Sequence, residues 1–232
     1  MTNADDPKQL LLELPINETF ALEDFMVAAS NEEAVKWIDA WPNWGQDNNP
    51  FHCLIIYGPA GCGKTHLCHV WQKIANAQIL KMDQLSPTMI NDQNFVFIIE
   101  DVDLHICDDT VLEGLLHLYN WTKEQGGYLL LTAKDHPKNW KIDLADLSSR
   151  LLASHSVKIK SPDDNLLQAI IIKQFSDRQI TLPTEVLNYL MPRLERSFDA
   201  ITKMVHDVDQ LSWAEKKKIT IPTVKQVLDH NQ

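Results

Sequence analysis

Basic residues are scarce in this sequence: 21 lysines and arginines stand against 32 aspartates and glutamates, a net charge of −11. Neutralising a phosphate backbone takes Lys and Arg, so a chain this acidic is not built to grip nucleic acid over a broad surface. The longest basic run is Lys216-Lys217-Lys218. Cysteine is sparse as well. Cys53, Cys62, Cys68 and Cys107 form no CxxC pair, which removes the usual zinc spacings. Cys53 and Cys68 fall in apolar runs and read as core residues. No apolar stretch approaches the roughly 18 residues of a membrane span. The opening Met1-Thr2-Asn3-Ala4-Asp5-Asp6 is polar and acidic, unlike a secretory signal. There are no repeats and no low-complexity tract. These absences predict a soluble, cytoplasmic protein of one medium domain or two small ones, with 44% hydrophobic residues to build a core.

What the sequence does have is Gly58-Pro59-Ala60-Gly61-Cys62-Gly63-Lys64-Thr65. An apolar run, Cys53-Leu54-Ile55-Ile56-Tyr57, precedes it, and a helical run from His66 to Ile74 follows. Strand, glycine-rich turn and helix start are the setting of a phosphate-binding loop. Backbone N–H groups hold most of a polyphosphate, so the chain must curl tightly around it, and glycine permits that. The helix N-terminus, opening near His66, adds free N–H groups and partial positive charge. Lys64 reaches toward β- and γ-phosphates, and the Thr65 hydroxyl is placed to ligate Mg²⁺. The predicted cofactors are ADP or ATP with Mg²⁺. Cys62 lies inside this loop, where a disulfide would disrupt binding, which points to a reducing compartment.

Along the chain, Gln9-Leu10-Leu11-Leu12-Glu13-Leu14-Pro15 is a short apolar segment after a polar tail. It reads either as an edge strand or as a linear peptide for a partner's groove. Ser30 or Asn31 caps a helix through Ile38. The tryptophans Trp37, Trp41 and Trp44 read as helix packing rather than a platform for bases. Gln78–Met82 is a second strand. Phe95–Ile99 is a third, buried on both faces and ending in Glu100-Asp101-Val102-Asp103. Acids at the carboxyl end of such a strand lie where nucleotide chemistry occurs in open α/β sheets. Asp108 or Asp109 starts an amphipathic helix that Gly126-Gly127 stops, and Tyr128–Thr132 is the next strand. Leu144–Leu152 reads as a helix and Val157–Ile159 as the last strand. After Ser161-Pro162 only helical periods remain. The predicted organisation is a tail over 1–18, an α/β nucleotide-binding domain over 19–160 and a small helical domain over 161–232.

Phosphate loop, acid-ended strand, a strand ending in Thr132 and a helical lid together resemble an AAA+ P-loop NTPase: a parallel-sheet α/β core followed by an all-α lid. Thr19-Phe20 with Phe25, Ser30-Asn31 and Ala34 is similar to the lead-in of DnaA-family replication initiators. Leu147-Ser148-Ser149-Arg150-Leu151 resembles their arginine-finger motif, and Thr220-Ile221-Pro222-Thr223-Val224-Lys225 resembles the end of their lid. With Gln9-Leu10-x-Leu12-x-Leu14 in front, the chain resembles the Hda-like branch of the DnaA-related family. That resemblance implies binding of the DNA polymerase sliding clamp through Gln9, Leu10, Leu12 and Leu14. It also implies that Arg150 acts as an arginine finger on the ATP of a DnaA-type initiator. Glu100 and Asp101 would serve the metal, Thr132 the γ-phosphate side, and homo-oligomers are possible partners in addition to initiator and clamp.

Three positions depart from the initiator pattern. Glu100 stands where an aspartate is common, and Lys134 where the first sensor is acidic. Asp199 stands where the lid carries its second-sensor arginine, with Arg193 and Arg196 as nearby substitutes of different helical phase. The binding half of the site is therefore intact and the hydrolysing half degraded. That suits a regulator acting on another molecule's ATP, with weak or absent turnover of its own. A free-standing AAA+ helicase or transposition loader is the alternative. A small-molecule kinase is disfavoured by the helical lid. Read from position alone, Arg150 is either the finger or a surface ion pair.

Overall fold

Short apolar runs bounded by polar turns become strands buried on both faces. In the computed structural model, which describes residues 26–44, 51–82, 85, 95–106, 108–215 and 218–230, they form one parallel sheet. Its strands are β1 (Cys53–Tyr57), β2 (Gln78–Leu80), β3 (Val96–Ile99), β4 (Tyr128–Ala133) and β5 (His155–Lys158), in the order β2-β3-β4-β1-β5. β1 pairs on one side with β4, Leu54 opposite Leu130, and on the other with β5, Leu54 opposite His155.

Side chains alternate across this sheet and so feed two cores. Leu54, Ile56, Ile98 and Leu130 face α1 (Glu32–Asp39) and α2 (Lys64–Ala75). Ile55, Ile99, Leu129 and Leu131 face α3 (Asp109–Glu124) and α4 (Ala145–Ala153). Trp37, Trp41 and Trp44 belong to the first core. Trp44 stacks on Trp71 with centroids 5.2 Å apart, and both are buried. They are packing residues, as expected.

Several strand boundaries differ from the sequence reading: β3 begins at Val96, β4 runs on to Ala133 and β5 ends at Lys158. β2 ends at Leu80, and the buried Met82 instead fills the second core. β5 begins at His155, because it lies at the edge of the described sheet, where the half-exposed His155 and Ser156 are tolerated. Asp108 is the cap of α3, its side chain accepting from the Thr110 N–H. Asn31 takes the cap position of α1 but turns its side chain away from the helix. It accepts from the Ala28 N–H at 2.8 Å and donates to the Met26 carbonyl at 3.0 Å.

After Pro162 come α5 (Asp164–Asp177), α6 (Thr184–Leu190), α7 (Phe198–Glu215) and α8 (Ile221–His230). They close around a third core that includes Leu166, Ile171, Phe175, Leu190, Val205 and Val224. Met26 and Ala28 pack against this lid core, and the Lys160 N–H donates to the Ser30 carbonyl at 3.0 Å. The lead-in segment thus lies along the junction of the two parts. Gln9, Leu10, Leu12 and Leu14, with Thr19, Phe20, Phe25 and Cys107, fall outside the described residues. No described helix is long and apolar enough to cross a membrane.

Candidate functional site

Gly58 leaves β1 and donates its N–H to the Ala133 carbonyl at the end of β4. The loop from Pro59 to Gly63 then turns into α2, which starts at Lys64. Gly63 holds φ 99 and Gly61 φ 63, values that a Cβ opposes. The Lys64 ammonium folds back into the loop and donates to the carbonyls of Gly58 and Pro59 at 3.0 and 3.1 Å. A cation is thereby held within a curl of backbone at a helix N-terminus, an arrangement that fits a polyphosphate. Pro59, Ala60 and His66 flank it, Ala60 exposed and His66 half-buried in the first turn of α2.

Cys62 points inward and is buried, and burial pushes its thiol pKa up. Cys68 is raised well above the ordinary thiol value, again by burial first and then by the charges of Glu100 and Asp101. These thiols are held neutral by their surroundings and belong to the packing.

Glu100 follows β3. Its Oε2 accepts from the Thr65 hydroxyl at 2.6 Å. Two of the three side chains assigned to the metal from sequence, Thr65 and Glu100, are therefore brought together from positions 35 residues apart. Hydroxyl plus carboxylate is a hard oxygen pair of the kind Mg²⁺ takes. Asp101 has its side chain exposed and its backbone left-handed at φ 51. Thr132 is fully buried, and its hydroxyl oxygen accepts from the Asp101 N–H at 3.0 Å. The sequence assigned Thr132 to the γ-phosphate side; its observed bond holds the acid loop in place.

The lid meets the phosphate loop directly. The Phe198 N–H donates to the Gly61 carbonyl at 2.7 Å. A Cβ on Gly61 would stand 2.6 Å from Ser197 Cβ and 3.2 Å from Asp199 Oδ2. Asp199 thus presents its carboxylate at the rim of the loop. Neither nearby arginine replaces it. Arg196 pairs with Asp164 at 2.9 Å, and Arg193 donates to the Tyr189 carbonyl and stacks over that residue's ring. Ser197 was not singled out from sequence. Its signal is a helix cap: its hydroxyl accepts from the Ala200 N–H.

Arg150 lies on α4, which runs into the edge strand β5. Its Nε and Nη2 donate to Asp146 Oδ1 and Oδ2, each at 3.0 Å. The acidic partner is also absent from the sequence reading, although the i,i+4 spacing exposes it.

A parallel sheet in the order β2-β3-β4-β1-β5, a phosphate loop after β1, acids after β3 and a helical lid touching the loop define an AAA+ P-loop module. Residues 163–228 match the model of the Hda lid domain, and residues 16–90 match that of the bacterial DnaA ATPase domain. The chain is an AAA+ protein related to the replication proteins DnaA and Hda. Among curated relatives, the chromosomal replication initiator protein DnaA of Flavobacterium psychrophilum is 24% identical over 96% of this chain and 51% of its own length. That of Campylobacter jejuni is 27% identical over 93% and 53%. The chain spans about half the length of these relatives. Domain III of Thermotoga maritima DnaA shares the fold with a TM-score of 0.78 at 20% identity, covering 93% of this chain and 98% of that one. AMPPCP-bound DnaA from Aquifex aeolicus gives 0.71 at 22% identity, covering 86% and 67%.

Proposed function

We propose that this chain is a nucleotide-binding AAA+ regulator of replication initiation that acts on the ATP of a DnaA-type initiator. The observation that carries the reading is the match of its lid to the Hda lid domain over residues 163–228. That lid is joined to a phosphate loop whose binding side chains are assembled.

In this reading the loop from Gly58 to Thr65 holds ADP or ATP, a ligand class supported by the AMPPCP-bound DnaA structures. Bound Mg²⁺ would neutralise phosphate charge, held by Thr65 and Glu100, with Asp101 beside them. Lys64 exchanges its two loop carbonyls for phosphate oxygens. Asp199 sets a negative charge beside the loop, where it opposes a γ-phosphate. The nucleotide then serves shape rather than turnover.

Arg150 does its work outside its own site. Its guanidinium is always charged and offers five N–H donors, of which Asp146 engages two. The remaining donors can meet oxygens of a transferring phosphoryl group on a neighbouring subunit. A trans arginine finger is worth about 10³–10⁵ in rate, or about 4–7 kcal/mol. An effect of that size is a whole function. Gln9, Leu10, Leu12 and Leu14 form a linear peptide that docks on the sliding clamp and keeps the regulator near replicating DNA in the cytoplasm, preventing re-initiation.

The test is a reconstituted assay with DNA-loaded clamp and ATP-bound initiator. This chain should stimulate initiator hydrolysis in the presence of clamp while showing negligible turnover alone. Brisk turnover by the isolated chain, without stimulation of the initiator, would overturn the reading in favour of an independent motor.

A further inference from the structure

Just beyond Glu100 the backbone turns left-handed. Asp101 sits at φ 51 and ψ 44, a region that, among residues with a Cβ, aspartate and asparagine enter most readily and still only as single residues held by local hydrogen bonds. A 3₁₀ turn over Val102–Leu104 follows, with Val102 fully buried in the second core. The Leu104 N–H closes this turn onto the Asp101 carbonyl at 3.0 Å.

Two side chains, one on β4 and one in the turn, tie this turn to the exit of β4. Thr132 Oγ1 accepts from the Asp101 N–H at 3.0 Å. In the other direction, Asp103 Oδ2 accepts from the N–H groups of Lys134 and Asp135 at 2.9 and 3.3 Å. The second Asp103 oxygen, Oδ1, is buried and meets no hydrogen-bond partner among the described residues. A carboxylate with two main-chain donors on one oxygen and none on the other works as a fixed acceptor. Its bonds run to the β4 exit, while those of Glu100 run to Thr65.

We propose that Asp103 is a positioning residue. With Thr132 it clasps the exit of β3 to the exit of β4, holds Asp101 left-handed and so aims the Glu100 carboxylate at Thr65. The proposal rests on the reading of Thr65 and Glu100 as the holders of Mg²⁺ beside a bound nucleotide. Released from the clasp, Asp101 relaxes toward an ordinary backbone conformation, and the rotation swings the carboxylate immediately before it away from the hydroxyl.

The experiment measures the affinity of the full chain for a fluorescent ADP analogue, once with Mg²⁺ and once with EDTA. The ratio of the two affinities isolates the metal's contribution. Asp103→Ala should lower that ratio by about tenfold or more, as loss of an outer-shell partner does to metal sites. The affinity in EDTA should change little, because Lys64 and the loop are untouched. Asp103→Asn keeps an acceptor oxygen and should retain most of the ratio. A purely architectural role would lower the melting temperature of Asp103→Ala and leave the ratio alone. A folded Asp103→Ala with the parent's ratio overturns the proposal, as does an Asp103→Asn that falls as far as Ala. If Asp103→Ala does not fold, Thr132→Val removes the other half of the clasp and should show the same loss; an unchanged ratio there overturns it too. A parent whose affinity ignores Mg²⁺ overturns the underlying metal reading, and the proposal with it.

Discussion

The N–H of Phe198 donates to the carbonyl of Gly61 at 2.7 Å, so the first residue of α7 is bonded to the middle of the phosphate loop. The bond is main chain to main chain and survives most side-chain substitutions. It is vulnerable at Gly61, which holds φ 63 with Ser197 against it. Gly61→Ala should cost about 1–2 kcal/mol for the left-handed backbone alone, with the Ser197 clash in addition. Denaturant unfolding of the variant and the parent measures the loss, and nucleotide affinity should fall with it.

Lys64→Ala removes the cation from the loop. Its two hydrogen bonds to Gly58 and Pro59 are local and part-buried, so the fold should persist. Affinity for ADP should drop by at least about tenfold, because a charge-assisted contact to phosphate is worth about 1.5–3 kcal/mol. Calorimetric titration giving equal affinities would refute the assignment.

Arg150→Ala should leave folding and nucleotide binding intact and abolish stimulation of initiator hydrolysis by about 10³-fold or more. Arg150→Lys should restore little, since a point charge does not reproduce the planar fork. The Asp146 pair is exposed enough that its loss should change melting temperature only slightly. The measurement is single-turnover hydrolysis by the ATP-bound initiator with clamp and each variant.

Replacing Gln9, Leu12 and Leu14 together with alanine should eliminate binding to the sliding clamp and leave the thermal midpoint almost unchanged. Surface-immobilised clamp provides the first readout and calorimetry the second. A large fall in stability would instead make the segment part of a core.

His52 supplies a pH dependence. Its ring packs on Tyr119 with centroids 4.7 Å apart, and burial, then the charge of Lys123, pushes its pKa from 6.5 down to about 4. The folded protein keeps it neutral, whereas the unfolded chain protonates it below about 6.5. Stability is therefore full above pH 6.5 and is lost as pH falls toward 4. His155 is lowered in the same direction, by burial. Urea unfolding at neutral pH and near pH 4.5 should show this loss, and His52→Phe should flatten it.

Much of the fold was legible because its signals are local. β1 and β3 are uninterrupted apolar runs and β4 departs from one only at Thr132, and the phosphate loop is a contiguous pattern whose glycines and lysine have independent physical reasons. The helix α4 and the lid helices carry clear periods. What escaped is relational. Nothing in a linear reading says that Thr132 bonds the Asp101 N–H, or that Asp103 reaches two peptide groups beyond β4. The polar start of β5 was missed because an edge strand does not need apolar residues at every position. Asp199 was noticed as a misplaced charge, but its position beside Gly61 depends on how the lid seats. Arg193 and Arg196, close in sequence, are committed to Tyr189 and Asp164.

The bond from the Lys160 N–H to the Ser30 carbonyl, with Met26 and Ala28 seated on the lid core, has a mechanical consequence. The chain just ahead of α1 is a strut braced where sheet and lid meet, not a loose rope. Tension applied upstream of Met26 reaches the lid helices before it reaches the sheet. An anchor holding the front of the molecule would therefore bear on the orientation of the lid, and through Phe198 on Gly61, without touching either one.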